Sequence, residues 1–423
     1  MIFKNVKIFD GVSEQIVQGD VLIEDDRITG VSSSPIGDAP GQRTTVVNGE
    51  GRVLMPGLSD AHVHLVGNAN TFMDFITGTE GHLAINGLAE AKRMLLRGFT
   101  TVRDMAGDTA SIKAAIDRGA FPGPRIYPSQ AAISQSSGHG DFSFVYETPT
   151  ALGGTQSRAE SVGFMRVADG PERVLAAVRE QLKKGASQIK LMVGGGAAST
   201  YDPLYTVQFT EEEIRAAVSA AEDYGTYVAT HVYNVTGIRR AVQAGVKSIE
   251  HGHFADEETV AMLAERDVWL SMQPFGLGDH HYPDPDRAGK DRQICEAVPT
   301  IYELASKHGV KLAWGTDLLL EPQGAHRQSE MTARLGDYFS NIDALRMLTS
   351  QNARLFRLAG ERDTYRAAPL GVITEGAWAD VLLVDGNPAE DLSLLTDPEK
   401  NLLVIVKGGL VHKNAVVEAS EKV

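Results

Sequence analysis

Five apolar segments of the sequence carry side chains that can hold a cation or move a proton. Asp60-Ala61-His62-Val63-His64 sets two imidazoles two positions apart. On a strand, side chains at that spacing project to one side, so His62 and His64 can share one cation through ring nitrogens. Alone, the pair reads equally as two half-buried strand histidines. Lys190 lies inside Gln188-Ile189-Lys190-Leu191-Met192, where a charged amine is costly to bury unless paired or neutralised. His231 closes Tyr227-Val228-Ala229-Thr230-His231, His251 closes Ser248-Ile249-Glu250-His251, and Asp317 closes Leu312-Ala313-Trp314-Gly315-Thr316-Asp317.

These segments belong to a regular alternation. Between residues 57 and 360, apolar β-branched runs alternate with amphipathic helices, the pattern of a parallel sheet built from βα units. Eight strands are predicted: Leu58–His64, Phe99–Asp104, Arg125–Gln130, Gln188–Val193, Thr226–His231, Lys247–His251, Val268–Gln273 and Lys311–Asp317. That count predicts an α/β chain with a (β/α)8 TIM barrel, in which polar residues at the C-terminal ends of strands share the active face. Thr210 with Glu213 forms a capping box, and Pro171 opens a helix that stops at Gly185. Two long polar connections, 131–170 and 276–291, read as lids or binding segments. Residues 1–56 and 361–423 have short strands and turn signals instead, with strands expected at Met1–Phe9, Asp20–Glu24, Arg27–Ser32, Thr44–Asn48, Ala379–Asp385 and Leu402–Lys407. The expected division is a composite β-sandwich, 1–56 plus 361–423, around a barrel at 57–360.

Composition narrows the chemistry. The 423 residues, 43% hydrophobic and 22% charged, fit a globular chain and exclude disordered and collagen-like classes. The single cysteine, Cys295, excludes an internal disulfide and a thiolate cluster, so any metal must be held by nitrogen and oxygen; twelve histidines make that possible. A net charge of −15 argues against nucleic acid as the main partner. No apolar run approaches the ~18 residues of a membrane span, and the N-terminal residues lack a signal-peptide core, so a cytoplasmic protein with no membrane partner is expected.

The set His62-x-His64, Lys190, His231, His251 and Asp317 resembles that of the amidohydrolase superfamily. The Met55-Pro56-Gly57-Leu58-Ser59-Asp60 lead-in and the Gly371-Val372-Ile373-Thr374-Glu375-Gly376-Ala377-Trp378-Ala379-Asp380-Val381 return are similar to its entry to and exit from the barrel. The resemblance implies two divalent ions, commonly zinc, with His62, His64 and Asp317 on one, His231 and His251 on the other, and an N6-carboxylated Lys190 bridging them. It further implies attack on an amide carbonyl by a metal-bridging hydroxide, with Asp317 as the proton shuttle. Ser137-Gly138-His139-Gly140-Asp141 and His231-Val232-Tyr233 resemble the branch of Xaa-Pro dipeptidase-like and imidazolonepropionase-related enzymes that includes ochratoxin-hydrolysing amidohydrolases. In that branch His139 would stabilise the oxyanion and Tyr233 would hydrogen-bond the carboxylate of a small amide substrate, a dipeptide or N-acyl amino acid; a homo-oligomer, often an octamer, is also implied. Arg103 and Arg166 are alternative carboxylate partners. Two other readings stand beside this one: a mononuclear deaminase or cyclic amidohydrolase on the same fold, and an inactive binding homologue.

The remaining features read more plainly. Gly194-Gly195-Gly196 lacks the lysine of a phosphate loop and reads as backbone in close approach to the site. His253 reads as a supporting residue, His280-His281 as solvated, and Cys295 as a small buried apolar side chain.

Overall fold

The computed structural model describes residues 1–37 and 45–416. Its mixed α/β architecture divides the strands into one sheet from the chain ends and two parallel sheets from the middle. The first is eight-stranded: Ile2–Ile8, Val17–Glu24, Arg27–Ser32, Val46–Asn48 and Val53–Pro56 join Val381–Val384, Leu402–Lys407 and Leu410–Asn414. Ile2–Ile8 is its pivot, pairing along one edge with Val17–Glu24 and splitting the other between Val46–Asn48 and Val53–Pro56. Phe3, Val6, Val21, Leu54, Val381 and Val404 pack together in one apolar core. Thr44 of the expected Thr44–Asn48 strand lies outside the described residues.

Among the described residues, the named strands of the middle of the chain pair in parallel. One sheet runs Leu58–Val63, Phe99–Asp104, Arg125–Pro128; the other runs Met165–Val167, Ala132–Ser134, Ile189–Met192, Val228–Asn234, Ser248–Phe254, Trp269–Met272, Leu312–Trp314. Backbone hydrogen bonds link the two sheets at both ends, Ser187 N to Pro128 O (2.7 Å) and Asp317 N to His62 O (2.8 Å). Helices separate most successive strands, among them Pro171–Lys183, opened by its proline, and Glu211–Asp223, capped by Thr210 in the expected capping box. The terminal sheet is clamped to the parallel strands by ions and rings: Arg125 makes a two-toothed pair with Asp380 (2.9 and 3.1 Å), and Arg27 and Arg125 both lie over the Trp378 ring.

Several boundaries depart from expectation. Arg125–Gln130 stops at Pro128 because Gln130 takes a left-handed backbone (φ 59°). The segment 131–170, expected as a loop, contains the buried strand Ala132–Ser134, the strand Met165–Val167 and a short capped helix, Arg158–Ser161. Likewise the polar stretch 276–291 is half helix, since Pro285–His308 begins inside it. Among the described residues no helix is long and apolar enough to cross a membrane.

Candidate metal and active site

The six nominated ligands lie on four strands or just past the ends of two, with His231 and His251 mid-strand because Val228–Asn234 and Ser248–Phe254 run on beyond them. His62 is on Leu58–Val63 and His64 one residue beyond it; Lys190, His231 and His251 lie on the strands Ile189–Met192, Val228–Asn234 and Ser248–Phe254. Asp317 is not on its strand, which ends at Trp314. The chain turns there, and Asp317 sits at φ 52°, with His251 at φ 74°, both in the left-handed region that non-glycine residues seldom occupy. Such backbone costs free energy and tends to mark functional sites. The Asp317 amide bonded to the His62 carbonyl holds the turn.

The side chains meet in a cavity of about 500 Å³ lined by all six nominated ligands and by His139 and Tyr233. The donor atoms of His62, His251 and Asp317 all lie within 4.8 Å of one another. Asp317 Oδ1 is 2.9 Å from His64 Nε2 and 3.4 Å from His62 Nε2, and Lys190 Nζ is 3.4 Å from that same His62 nitrogen. The ring of His231 lies 4.5 Å from that of His251. Burial drives the imidazoles toward the neutral form that ligates metals: His62 and His231 fall well below their usual value, and His251 drops to about 3. Asp317 is pushed up by burial, but the neighbouring His62, His64 and His251 outweigh this and hold it well below the usual carboxylate range. Neutral nitrogens from His62, His231 and His251 beside one carboxylate form a donor set suited to a divalent cation.

Beneath the ligands lies a charged floor that the sequence did not announce. Glu250, fully buried, accepts from His62 Nδ1 (2.9 Å), from Arg103 Nη2 (2.6 Å) and from Ser248 Oγ (2.6 Å). By taking the Nδ1 proton it leaves His62 Nε2 free to face the site, an arrangement common around metal-binding histidines. Arg103 also donates to the Ala61 carbonyl and the Tyr227 hydroxyl and is wholly buried, so it is not available to a substrate. Arg166 is likewise committed, to Glu180 through two hydrogen bonds (2.8 and 2.7 Å). Both arginines are corrected from substrate partners to structural ion pairs. Removing Glu250 leaves a guanidinium buried and unpaired: Glu250→Ala is expected to destabilise the chain by roughly 3–5 kcal/mol, read as a lowered urea midpoint. Glu250→Gln is expected to fold while weakening metal retention on dialysis on the order of 10- to 100-fold.

His139 is held by its surroundings rather than solvated. Its Nδ1 faces Ser199 Oγ (2.7 Å) and Asp202 Oδ2 (3.0 Å), and its ring stacks on His231 at 4.0 Å between centroids. Asp202, an acceptor, orders the Nδ1 proton and leaves Nε2 for the cavity. Gly196 permits this approach, since a Cβ there would come within 2.1 Å of the His139 ring. Tyr233 is buried beside His231 and His251, each 5.1 Å away between ring centres, and burial raises its hydroxyl well above the usual range, so it stays a donor. His253 is buried, its Nε2 3.3 Å from the Gln273 carbonyl. The expectation of a solvated His280-His281 is corrected for His280, which is half-buried with Nδ1 bonded to Asp291 at 2.8 Å; His281 also lines the cavity but is exposed, as expected.

Comparison with known proteins agrees with this geometry. The Amidohydrolase family profile matches residues 53–411. The ochratoxinase of Aspergillus niger is 33% identical over 387 residues, covering 85% of this chain and 76% of its own. A prolidase crystallised with N-methylphosphonate-L-proline is 32% identical and superposes with a TM-score of 0.88 over 98% of this chain and 99% of its own. A Xaa-Pro dipeptidase with methionine bound in the active site is 29% identical, with a TM-score of 0.82 over 98% and 99%. With a match across most of its length, and with its nominated ligands gathered in one buried cavity, the chain belongs to the amidohydrolase family.

Proposed function

We propose that this protein hydrolyses the amide bond of a small dipeptide-like or N-acyl amino acid substrate, using two divalent ions, zinc by the nitrogen-rich donor set. The observation that carries this reading is the convergence of His62, His251 and Asp317 donors within 4.8 Å, beside a buried lysine amine 3.4 Å from His62. His62, His64 and Asp317 would hold one ion, and His231 and His251 the other. Lys190, carboxylated on Nζ, would bridge them, since a protonated amine cannot ligate and a carbamate offers two anionic oxygens. When bound, such ions polarise a carbonyl and lower the pKa of water. The two parallel sheets, touching at both ends, support reading residues 57–360 as the (β/α)8 barrel, with 1–56 and 361–423 as its companion domain.

The chain's own residues then divide the work. Asp317, partly open to the cavity and held low by its imidazole neighbours, accepts the proton of the attacking water and delivers it to the leaving nitrogen. His139, held through Nδ1 by Asp202, would turn an Nε2–H to the substrate carbonyl and donate to the oxygen where negative charge develops. Tyr233 donates its hydroxyl to the substrate carboxylate. Phe72, Phe142 and Phe275 give the cavity apolar walls that shed water and accept a hydrophobic side chain.

The test is a panel of dipeptides and N-acyl amino acids, read by amine release from zinc-loaded, bicarbonate-treated protein, together with metal analysis. About two equivalents per chain and turnover support the reading; one tight equivalent with a fully active Lys190→Ala variant overturns the bridged site. Tyr233→Phe is expected to raise KM roughly tenfold or more for substrates with a free carboxylate, at nearly unchanged kcat, and to spare those without one.

A further inference from the structure

Lining the cavity is a cation that the sequence did not single out. Arg287 lies in the first turn of the helix Pro285–His308, fixed there by the Asp284 cap, which accepts the Arg287 backbone amide at 2.9 Å. Its guanidinium is set rather than waving: Nε donates to the Ala197 carbonyl at 3.2 Å, and the group lies over the Tyr282 ring, 4.5 Å from its centre. No carboxylate among the described residues forms an ion pair with it. The acids of the same wall are already engaged, Asp291 by His280, Glu321 by Arg327, and Asp141 by the Ser137 amide and the Ser143 hydroxyl. Arg287 is thus a cavity-lining cation with no carboxylate partner among the described residues.

Its anchors place the guanidinium near the reacting groups. Ala197 follows Gly196, which packs against the His139 ring, and Ser199, two residues on, bonds His139 Nδ1. On its other side Tyr282, which lies under the guanidinium, lines the same cavity as Tyr233. We propose that Arg287 is the specificity-determining residue that binds the terminal carboxylate of the substrate, with its two η nitrogens donating to the two carboxylate oxygens. A planar fork matches a carboxylate in two parallel hydrogen bonds, which fixes orientation as well as charge. This assigns to Arg287 the part that neither Arg103 nor Arg166 is free to play, and it rests on the amide-hydrolase reading above.

The experiment compares the parent, Arg287→Met and Arg287→Lys on two substrates: an N-acyl amino acid and its methyl ester. Amine release is read in both cases, so cleavage of the ester group is silent. Arg287→Met is expected to lose roughly 10- to 100-fold in kcat/KM on the free acid, mostly through KM, while the ester changes less than about threefold. Arg287→Lys, which keeps the charge and loses the fork, falls between. Equal losses on acid and ester, or no loss on either, overturn the assignment. A parent that releases no amine from either substrate overturns the hydrolase reading instead. Calorimetric binding of the N-acyl amino acid then decides on Arg287: weaker binding by Arg287→Met at unchanged metal content supports it, and equal or absent binding in the parent overturns it.

Discussion

Asp317→Asn is expected to reduce kcat by roughly a thousandfold or more, with little change in fold and with most of the bound metal retained. The substitution keeps the side chain's size and an oxygen within reach of His64 Nε2, 2.9 Å from Oδ1, so the turn after Leu312–Trp314 has no reason to collapse. What it removes is the base. Burial works against an ionised Asp317, and three imidazoles reverse that balance, so the group is charged and ready at neutral pH. An amide cannot accept the proton of the attacking water, nor return one to the leaving nitrogen. The measurement is kcat on the best amide of the panel, with metal content and far-ultraviolet circular dichroism on the same sample. Turnover within tenfold of the parent contradicts the shuttle.

Lys190→Met is expected to drop metal content from about two equivalents to one and to cost a comparable factor in turnover, partly restored by a short carboxylate such as acetate. The physical chemistry lies in the amine. Burial lowers Lys190, with Arg103 adding to the effect and Glu250 and Asp317 opposing it, and the outcome is about 8. Carboxylation requires the neutral amine, which attacks carbon dioxide and releases one proton. The sign follows: at pH below about 8 the amine is mostly protonated and unreactive, and above it mostly neutral. Reconstitution of the metal-free parent with zinc should therefore speed up between pH 7 and 9 and with added bicarbonate. Neither condition should affect Lys190→Met, and a parent indifferent to both would sink the carbamate.

The six nominated residues, which the structure gathers around one cavity, stood out because each ends or interrupts an apolar run, where a polar residue has no packing reason to be. Supporting residues gave weaker signals. Glu250 was visible as an acid inside the strand Ser248–Phe254, yet its partners Arg103 and His62 lie on two other strands, and no local spacing connects the three. Arg103 misled for the same reason: a charged residue in a strand reads as functional until its burial and its partner are known. Arg287 carries no pattern at all, since its meaning comes from Ala197 and Tyr282 alongside it. Strand limits failed where backbone geometry decides, as at Asp317 and Gln130 with positive φ. The strand Val53–Pro56 was not among those expected; its proline stands at the last position, where a ladder can do without its donor.

The terminal sheet has a consequence for how the protein is made. Val53–Pro56 is entirely buried, and one of its edges pairs antiparallel with Val381–Val384. A ribosome delivers that partner about 325 residues later, roughly 15 to 65 s at ordinary elongation rates. Throughout that interval the nascent chain carries an apolar strand edge with nothing to close it, while all the parallel strands emerge and collapse beside it. Completion of the sheet thus waits for Val381–Val384, and the period before it is when this chain most needs protection from its neighbours.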